Sequence, residues 1–176
     1  MSRLVEQIAE ALQALSACAA APALIGGLAL AAHGVIRATQ DVDLLLDSDD
    51  VERAHEALLG LHYRCEYRSS EAANYRRGDD ALDLMYAHRP LARRLLAEAQ
   101  ARETPIGRVR VISAEGLIAC KLQGWVNNPA RTLDLEDIRN LLVANAGALD
   151  LDEVRGYFEL FDRESLFDEL LAESTR

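Results

Sequence analysis

Cysteine is scarce in this chain, and what there is forms no pattern. Cys18, Cys65 and Cys120 are odd in number and widely spaced, with no CxxC or Cys/His ligand arrangement. That argues against a disulfide framework and a zinc site, and all three are expected to be reduced packing residues. No apolar run approaches the roughly 18 to 20 residues of a membrane helix. The Ala-rich start carries Glu6 and Glu10 where a signal peptide would be apolar. A cytoplasmic protein with no membrane partner is therefore expected. Internal repeats, low-complexity segments and Pro/Gly/Ser linkers are also missing. Positive charge is in deficit: the net charge of −10 argues against a general basic surface that wraps nucleic acid, because phosphate neutralisation supplies most non-specific affinity.

What remains is a chain of 176 residues, half of them hydrophobic, enough for one proper core with room for a helical extension. Its charge is uneven. Between Leu61 and Ile112 there are ten arginines against seven acidic residues, whereas from Asp134 to Leu170 eleven acidic residues face three arginines. The acidity thus lies toward the C-terminal end, and the middle segment could form a local basic strip.

Leu4, Val5, Ile8, Leu12 and Leu15 recur at helical spacing, which predicts an amphipathic helix from about Ser2 to Ala19. "ALIGG" is expected as a short buried strand broken by glycine, "LALAAHG" as a brief helix closed by Gly34, and "DVDLLLD" as a strand. "SDDVERAHEALLGL" predicts a helix capped by Ser48. "HYRCEYR", "ANYRRG" and "ALDLMYA" follow as strands or hairpin arms, Pro90 opens another helix, and "GRVRVIS" is a further strand. From the cap residue Ser113 onward only helices are expected, broken at Asn127-Asn128-Pro129 and ending in two short acidic helices. The pattern predicts an α+β core over residues 1–112 and a helical C-terminal subdomain over 113–176.

The chemistry concentrates in "LIGGLALAAHGVIRATQDVDLLL", Leu24 to Leu46. Alternation along a strand sends Asp41 and Asp43 to the same side, about 7 Å apart. Like charges so placed repel and are costly to desolvate, and a cation relieves both costs. Carboxylate oxygens are the hard ligands Mg²⁺ prefers, and a pair of them can bridge two metals for phosphoryl-type transfer. Gly26 and Gly27 sit between a strand and a helix, where a bare backbone can approach a phosphate. Either half alone is commonly plain packing or a solvated strand face; the two together at this spacing are far more specific.

"IGG", thirteen residues, then "DVD" resembles the hG[GS]…DhD signature of the nucleotidyltransferase superfamily. That resemblance implies a DNA polymerase beta palm-like mixed sheet with flanking helices. "RATQDVD", Arg37 to Asp43, looks like the variant found in bacterial abortive-infection-type nucleotidyltransferase toxins. The similarity extends to "ALDLMYA", where Asp83 fits a third strand carboxylate, and to "EGLIACKLQGWVNNPARTLDLEDI", through Lys121, Arg131, Asp134 and Asp137. It spans roughly Leu24 to Leu142. It implies that Asp41, Asp43 and Asp83 are catalytic and hold Mg²⁺ or Mn²⁺, with Asp83 orienting or deprotonating an acceptor hydroxyl. Gly26, Gly27, Arg37, Thr39 and Lys121 would bind the nucleotide. The implied reaction is in-line attack on the α-phosphorus of a nucleoside triphosphate, with release of pyrophosphate.

Simpler readings stand beside these. One acid of "DDALDL" could be structural, Arg37 could pair with a strand acid, and Thr39 could serve the local backbone. Lys121 could snorkel, and Asp134 and Asp137 could only complement a helix dipole. His33 is expected as a helix-end residue and Trp125 as a core or subdomain contact. Two functions are carried forward. One is a nucleotidyltransferase with tRNA or another RNA end, a protein or a small hydroxyl compound as acceptor, acting as the toxin of a toxin-antitoxin or phage-defence system with a cognate antitoxin. The other is a catalytically weak binding module or antitoxin-type partner on the same fold; the intact three-aspartate set favours the enzyme.

Overall fold

The computed structural model describes residues 3–104 and 106–174. The Ser2 start expected for the first helix and the last two residues of the expected terminal helix lie outside the described residues. The chain divides into two compact units. One comprises the chain up to Ala32 together with Arg37–Ile112, the other His33–Ile36 and everything from Ser113.

The first unit opens with α1 (Arg3–Ala14), whose buried stripe of Gln7, Ile8 and Ala11 continues through a 3₁₀ turn at Leu15–Ala17. Then come β1 (Ala23–Leu24), α2 (Gly26–Ala32), β2 (Asp41–Asp47) and α3 (Val51–Gly60). A meander of β3 (Arg64–Arg68), β4 (Ala72–Arg77) and β5 (Asp80–Ala87) follows, then α4 (Pro90–Glu98) and the hairpin of β6 (Gln100–Thr104) and β7 (Gly107–Val111). The seven strands form one mixed sheet in the order β3-β4-β5-β2-β1-β7-β6. The central pair β2 and β5 is parallel, while β4 is antiparallel to β5 and β1 is antiparallel to β2.

Central position explains the leucine run. Leu44, Leu45 and Leu46 are all buried, as expected for a strand covered on both sides. One face of β3–β4–β5 carries Tyr75, Leu82 and Leu84, all buried. Tyr75 hydrogen-bonds His55 of α3 at 2.9 Å, and Gln7 of α1 donates to the Ala81 carbonyl at 2.8 Å, so helices cover this face. Asp50, 1% exposed, accepts from the Ala19 and Ala20 amides and from Arg53, each at 2.9 Å. It ties the end of the first helical segment to the start of α3.

Two expectations need correction. Ser48 begins a 3₁₀ turn (Ser48–Asp50) that Asp47 caps by accepting from the Asp49 amide, and the residue at the N-cap of α3 is Asp50, whose side chain makes no cap hydrogen bond. The Asp47 carboxylate, one residue earlier, takes the first amide of that turn, so the Ser48 hydroxyl caps no helix. The sequence pattern also contains no sign of β6.

In the second unit, α5 (Ala114–Asn127), α6 (Thr132–Ala144), α7 (Leu151–Glu159) and α8 (Glu164–Ser174) pack around Leu117, Leu122, Ile138, Leu141, Phe158 and Phe167. Ser113 caps α5 by accepting from the Gly116 amide at 3.0 Å. The Phe158 and Phe167 rings meet at 5.2 Å in a tilted pair. His33 belongs to this unit and is buried, and Asn145 donates to its carbonyl at 3.0 Å. All three thiols are free, and burial pushes the Cys120 thiol up to about 11. No helix among the described residues is long and apolar enough to cross a membrane.

Candidate active site

The two halves of the motif meet at the start of β2. β1 ends at Leu24, and the Ile25 amide donates to the Asp43 carbonyl at 3.0 Å. The chain then turns at Gly26 with φ +63°, a left-handed conformation that side chains disfavour. A Cβ on Gly26 would lie 2.0 Å from Asp43 Oδ2, so only glycine fits between this backbone and that carboxylate. A Cβ on Gly27 would lie 2.9 Å from Thr39 Cβ and Oγ1. The glycine pair is therefore lodged between Asp43 on one side and Thr39 on the other, and Thr39 serves as packing against Gly27.

Parallel pairing supplies the third carboxylate. Asp43 is in register with Asp83 on β5, and paired residues of adjacent strands project to the same side. Asp41 shares that side with Asp43. Asp41 is exposed, while Asp43 and Asp83 are half-buried. Asp83 is in turn in register with Asn74 on β4, whose Nδ2 donates to Asp83 Oδ1 at 2.7 Å. Asn74 orients one oxygen of the carboxylate, and no sequence motif marked it; only cross-strand register reveals it. Arg37 is exposed on the segment that leads into Thr39.

The acid in "DDALDL" with a structural role is Asp80, which is 5% exposed. It receives Arg3 Nε at 2.6 Å and Arg77 Nη2 at 3.0 Å. Burial raises its pKa, but these two guanidinium partners outweigh that and hold the carboxyl below its ordinary range. Two cavities, of about 430 and 290 Å³, both border Arg3, Gln7 and Asp80, and neither includes the three aspartates at issue.

The helical residues Lys121, Arg131, Asp134 and Asp137 are brought together, in the second unit, as a buried ion network. Lys121, the only lysine in the chain, lies 3.1 Å from Asp134 Oδ1 and 2.8 Å from Asp137 Oδ2. Arg131 Nε donates to Asp134 Oδ2 at 2.6 Å. Lys121, Asp134 and Asp137 are 8%, 3% and 2% exposed. Gly124 admits the network, since a Cβ there would be 2.9 Å from Asp134 Oδ2. This lysine does not snorkel; it fastens α5 to α6. Trp125 is half-buried on α5.

Three carboxylates on one side of two adjacent strands are a hard-oxygen donor set that suits Mg²⁺ or Mn²⁺. Among the described residues no group of three or more acids, histidines or cysteines forms a ready-made metal cage. That is compatible with Mg²⁺, which usually takes one or two carboxylates and completes its shell with water and substrate phosphates.

No family profile and no curated protein sequence matches the chain. Solved structures do. The crystal structure of ANT(2'')-Ia in complex with adenylyl-2''-tobramycin superposes with a TM-score of 0.69 over 92% of this chain and 98% of that one, at 20% identity. A nucleotidyltransferase candidate from Thermotoga maritima gives 0.57 over 77% and 94%, at 15% identity. An antigenic nucleotidyltransferase-like protein from Paracoccidioides brasiliensis gives 0.56 over 96% and 92%, at 17% identity. The chain thus has the nucleotidyltransferase fold that its glycine and aspartate motifs predicted.

Proposed function

We propose that the protein transfers a nucleoside monophosphate from a nucleoside triphosphate to a hydroxyl acceptor. One observation carries this reading: Asp43 is in register with Asp83 and at the same time in contact with the bare backbone of Gly26. A phosphate-approaching turn and a metal-type carboxylate set are thereby built into one another.

Asp41, Asp43 and Asp83 would hold Mg²⁺ or Mn²⁺, which neutralises phosphate charge and favours loss of the acceptor proton. Gly26 and Gly27 let the backbone come close to the triphosphate, and Thr39 fixes Gly27 in place. Exposed Arg37 offers a guanidinium for phosphate oxygens. Asp83, held by Asn74, faces the incoming hydroxyl and takes or orients its proton. The acceptor oxygen forms a bond to the α-phosphorus, the bond from that phosphorus to the pyrophosphate oxygen breaks, and the proton leaves the acceptor. Lys121 is given a structural role, because both its carboxylate partners are buried with it. A toxin role with a cognate antitoxin extends this reading on the sequence resemblance alone, and a cytoplasmic setting on the hydropathy of the sequence.

The test is incubation with α-labelled nucleoside triphosphate and Mg²⁺, with an RNA pool, a cell lysate, the protein itself and aminoglycosides as acceptors. Covalent label that disappears in Asp41→Ala/Asp43→Ala is expected. Absence of label on every acceptor would leave a binding module on this fold.

A further inference from the structure

The sheet side that carries the carboxylates does not end at β5. Paired positions run from Asp43 through Asp83 and Asn74 to Tyr67, across β2, β5, β4 and β3. Tyr67 reaches this side through a bulge. Cys65 pairs with Tyr75, but Tyr67 pairs with Asn74, so Glu66 is one residue too many. In regular pairing Tyr67 would stand opposite Ala73, which is buried beneath the helices. The bulge instead leaves it 57% exposed on the carboxylate side, about 10 Å from Asp83 at the usual strand spacing.

The neighbouring row on the same side runs Asp41, Ala81, Arg76, Arg64. Arg64 and Arg76 are exposed and lie 3.6 and 3.4 Å from the single Glu66. Met85, two residues after Asp83, is 41% exposed. Most other arginines of this segment are engaged elsewhere: Arg68 with Glu52, Arg77 with Glu10 and Asp80, Arg110 with backbone carbonyls. The open face beside the aspartates is thus an aromatic ring flanked by two cations.

In-line displacement requires the attacking oxygen and the departing pyrophosphate to stand on opposite sides of the α-phosphorus. Gly26 and Gly27 lie on the β1 side of β2, so a pyrophosphate there leaves the β5–β4–β3 side for the attacking group. Resting on the nucleotidyl-transfer reading, we infer that this face receives the acceptor, that Tyr67 is its specificity-determining platform, and that the acceptor is a nucleotide unit. Its base stacks on the Tyr67 ring, its phosphate meets Arg64 and Arg76, and its hydroxyl is presented to Asp83.

A free mononucleotide and the end of a strand share this chemistry. Fluorescence anisotropy of the full chain with a labelled ribohexanucleotide in Mg²⁺ tests it, with AMP as competitor. Saturable binding is expected, about tenfold weaker in Tyr67→Ala and restored in Tyr67→Phe, since stacking needs the ring and not the hydroxyl. Arg64→Ser/Arg76→Ser should flatten the salt dependence. Effective competition by AMP assigns a free mononucleotide; its failure assigns a strand end. No binding by the wild type, or undiminished binding by Tyr67→Ala, overturns the inference. Circular dichroism is expected to show the same fold in Tyr67→Ala as in the wild type. Nucleotidyl transfer itself stands or falls separately, on the labelling lost in Asp41→Ala/Asp43→Ala.

Discussion

Gly26 and Asp43 occupy one another's space: the Cβ that glycine lacks would fall 2.0 Å from Asp43 Oδ2. Gly26→Ala must therefore displace the carboxylate and also hold alanine at φ +63°, which costs about 1–2 kcal/mol in backbone strain alone. Nucleotidyl transfer is expected to be lost and the urea midpoint to fall. Gly27→Ala, with its tightest neighbours at 2.9 Å on Thr39, should do less harm. Thr39→Ala in the Gly27→Ala background should recover part of the loss, because it removes Oγ1 at 2.9 Å and the methyl at 3.2 Å from the contact.

Asp41, Asp43 and Asp83 share one side of the sheet, so a triphosphate approaching them without a cation meets like charge. Calorimetry is expected to give nucleotide binding in Mg²⁺ and at least about tenfold weaker binding in EDTA. Equal affinity in both would remove the metal role from these aspartates. Asp43→Asn, nearly isosteric, should keep the fold by circular dichroism while lowering transfer about 10²-fold or more.

What the sequence disclosed, and what it concealed, follows from which contacts are local. β2 was legible because aspartates alternate in front of a leucine run, and the Gly26-Gly27 turn because it stands thirteen residues before those aspartates. β6, "QARET", was not: four of its five residues are exposed, so no burial pattern marked it as a strand. Asn74 and Tyr67 were also invisible. Their position opposite Asp83 depends on register across three strands and on the bulge at Glu66, neither of which alternation alone discloses. Lys121 read as a nucleotide-binding or snorkelling residue on an apolar helix because its partners, Asp134 and Asp137, lie on another helix.

Acid should unfold the protein through three buried carboxyls. Burial raises the pKa of each, but their partners prevail: Ala20, Ala19 and Arg53 for Asp50, Arg3 and Arg77 for Asp80, Arg131 and Lys121 for Asp134. With folded pKa values lowered, their contribution is present above the unfolded value near about 4 and is lost as pH falls through the folded values. Urea midpoints are expected to be level from neutral pH down to about 5 and to drop below about 4. Asp80→Asn should lower the midpoint at neutral pH and make the acid limb shallower.

Lys121 gives the sharpest division between a structural and a nucleotide-binding residue. Its ammonium neutralises two carboxylates that are at most 3% exposed, and Asp134 also receives Arg131 Nε at 2.6 Å. Lys121→Met keeps the length of the side chain and removes the charge, withdrawing the ammonium from two buried carboxylates. Breaking a buried pair from one side costs about 3–5 kcal/mol, whereas removing charge from both sides is often near neutral. Lys121→Met should therefore lower stability by that amount in urea, and Lys121→Met/Asp137→Leu should recover much of it. If the role is structural, the variant assayed well below its melting temperature should keep the wild-type KM for nucleoside triphosphate. A KM raised about tenfold with stability intact would return Lys121 to the nucleotide site, since a direct phosphate contact is worth roughly that factor.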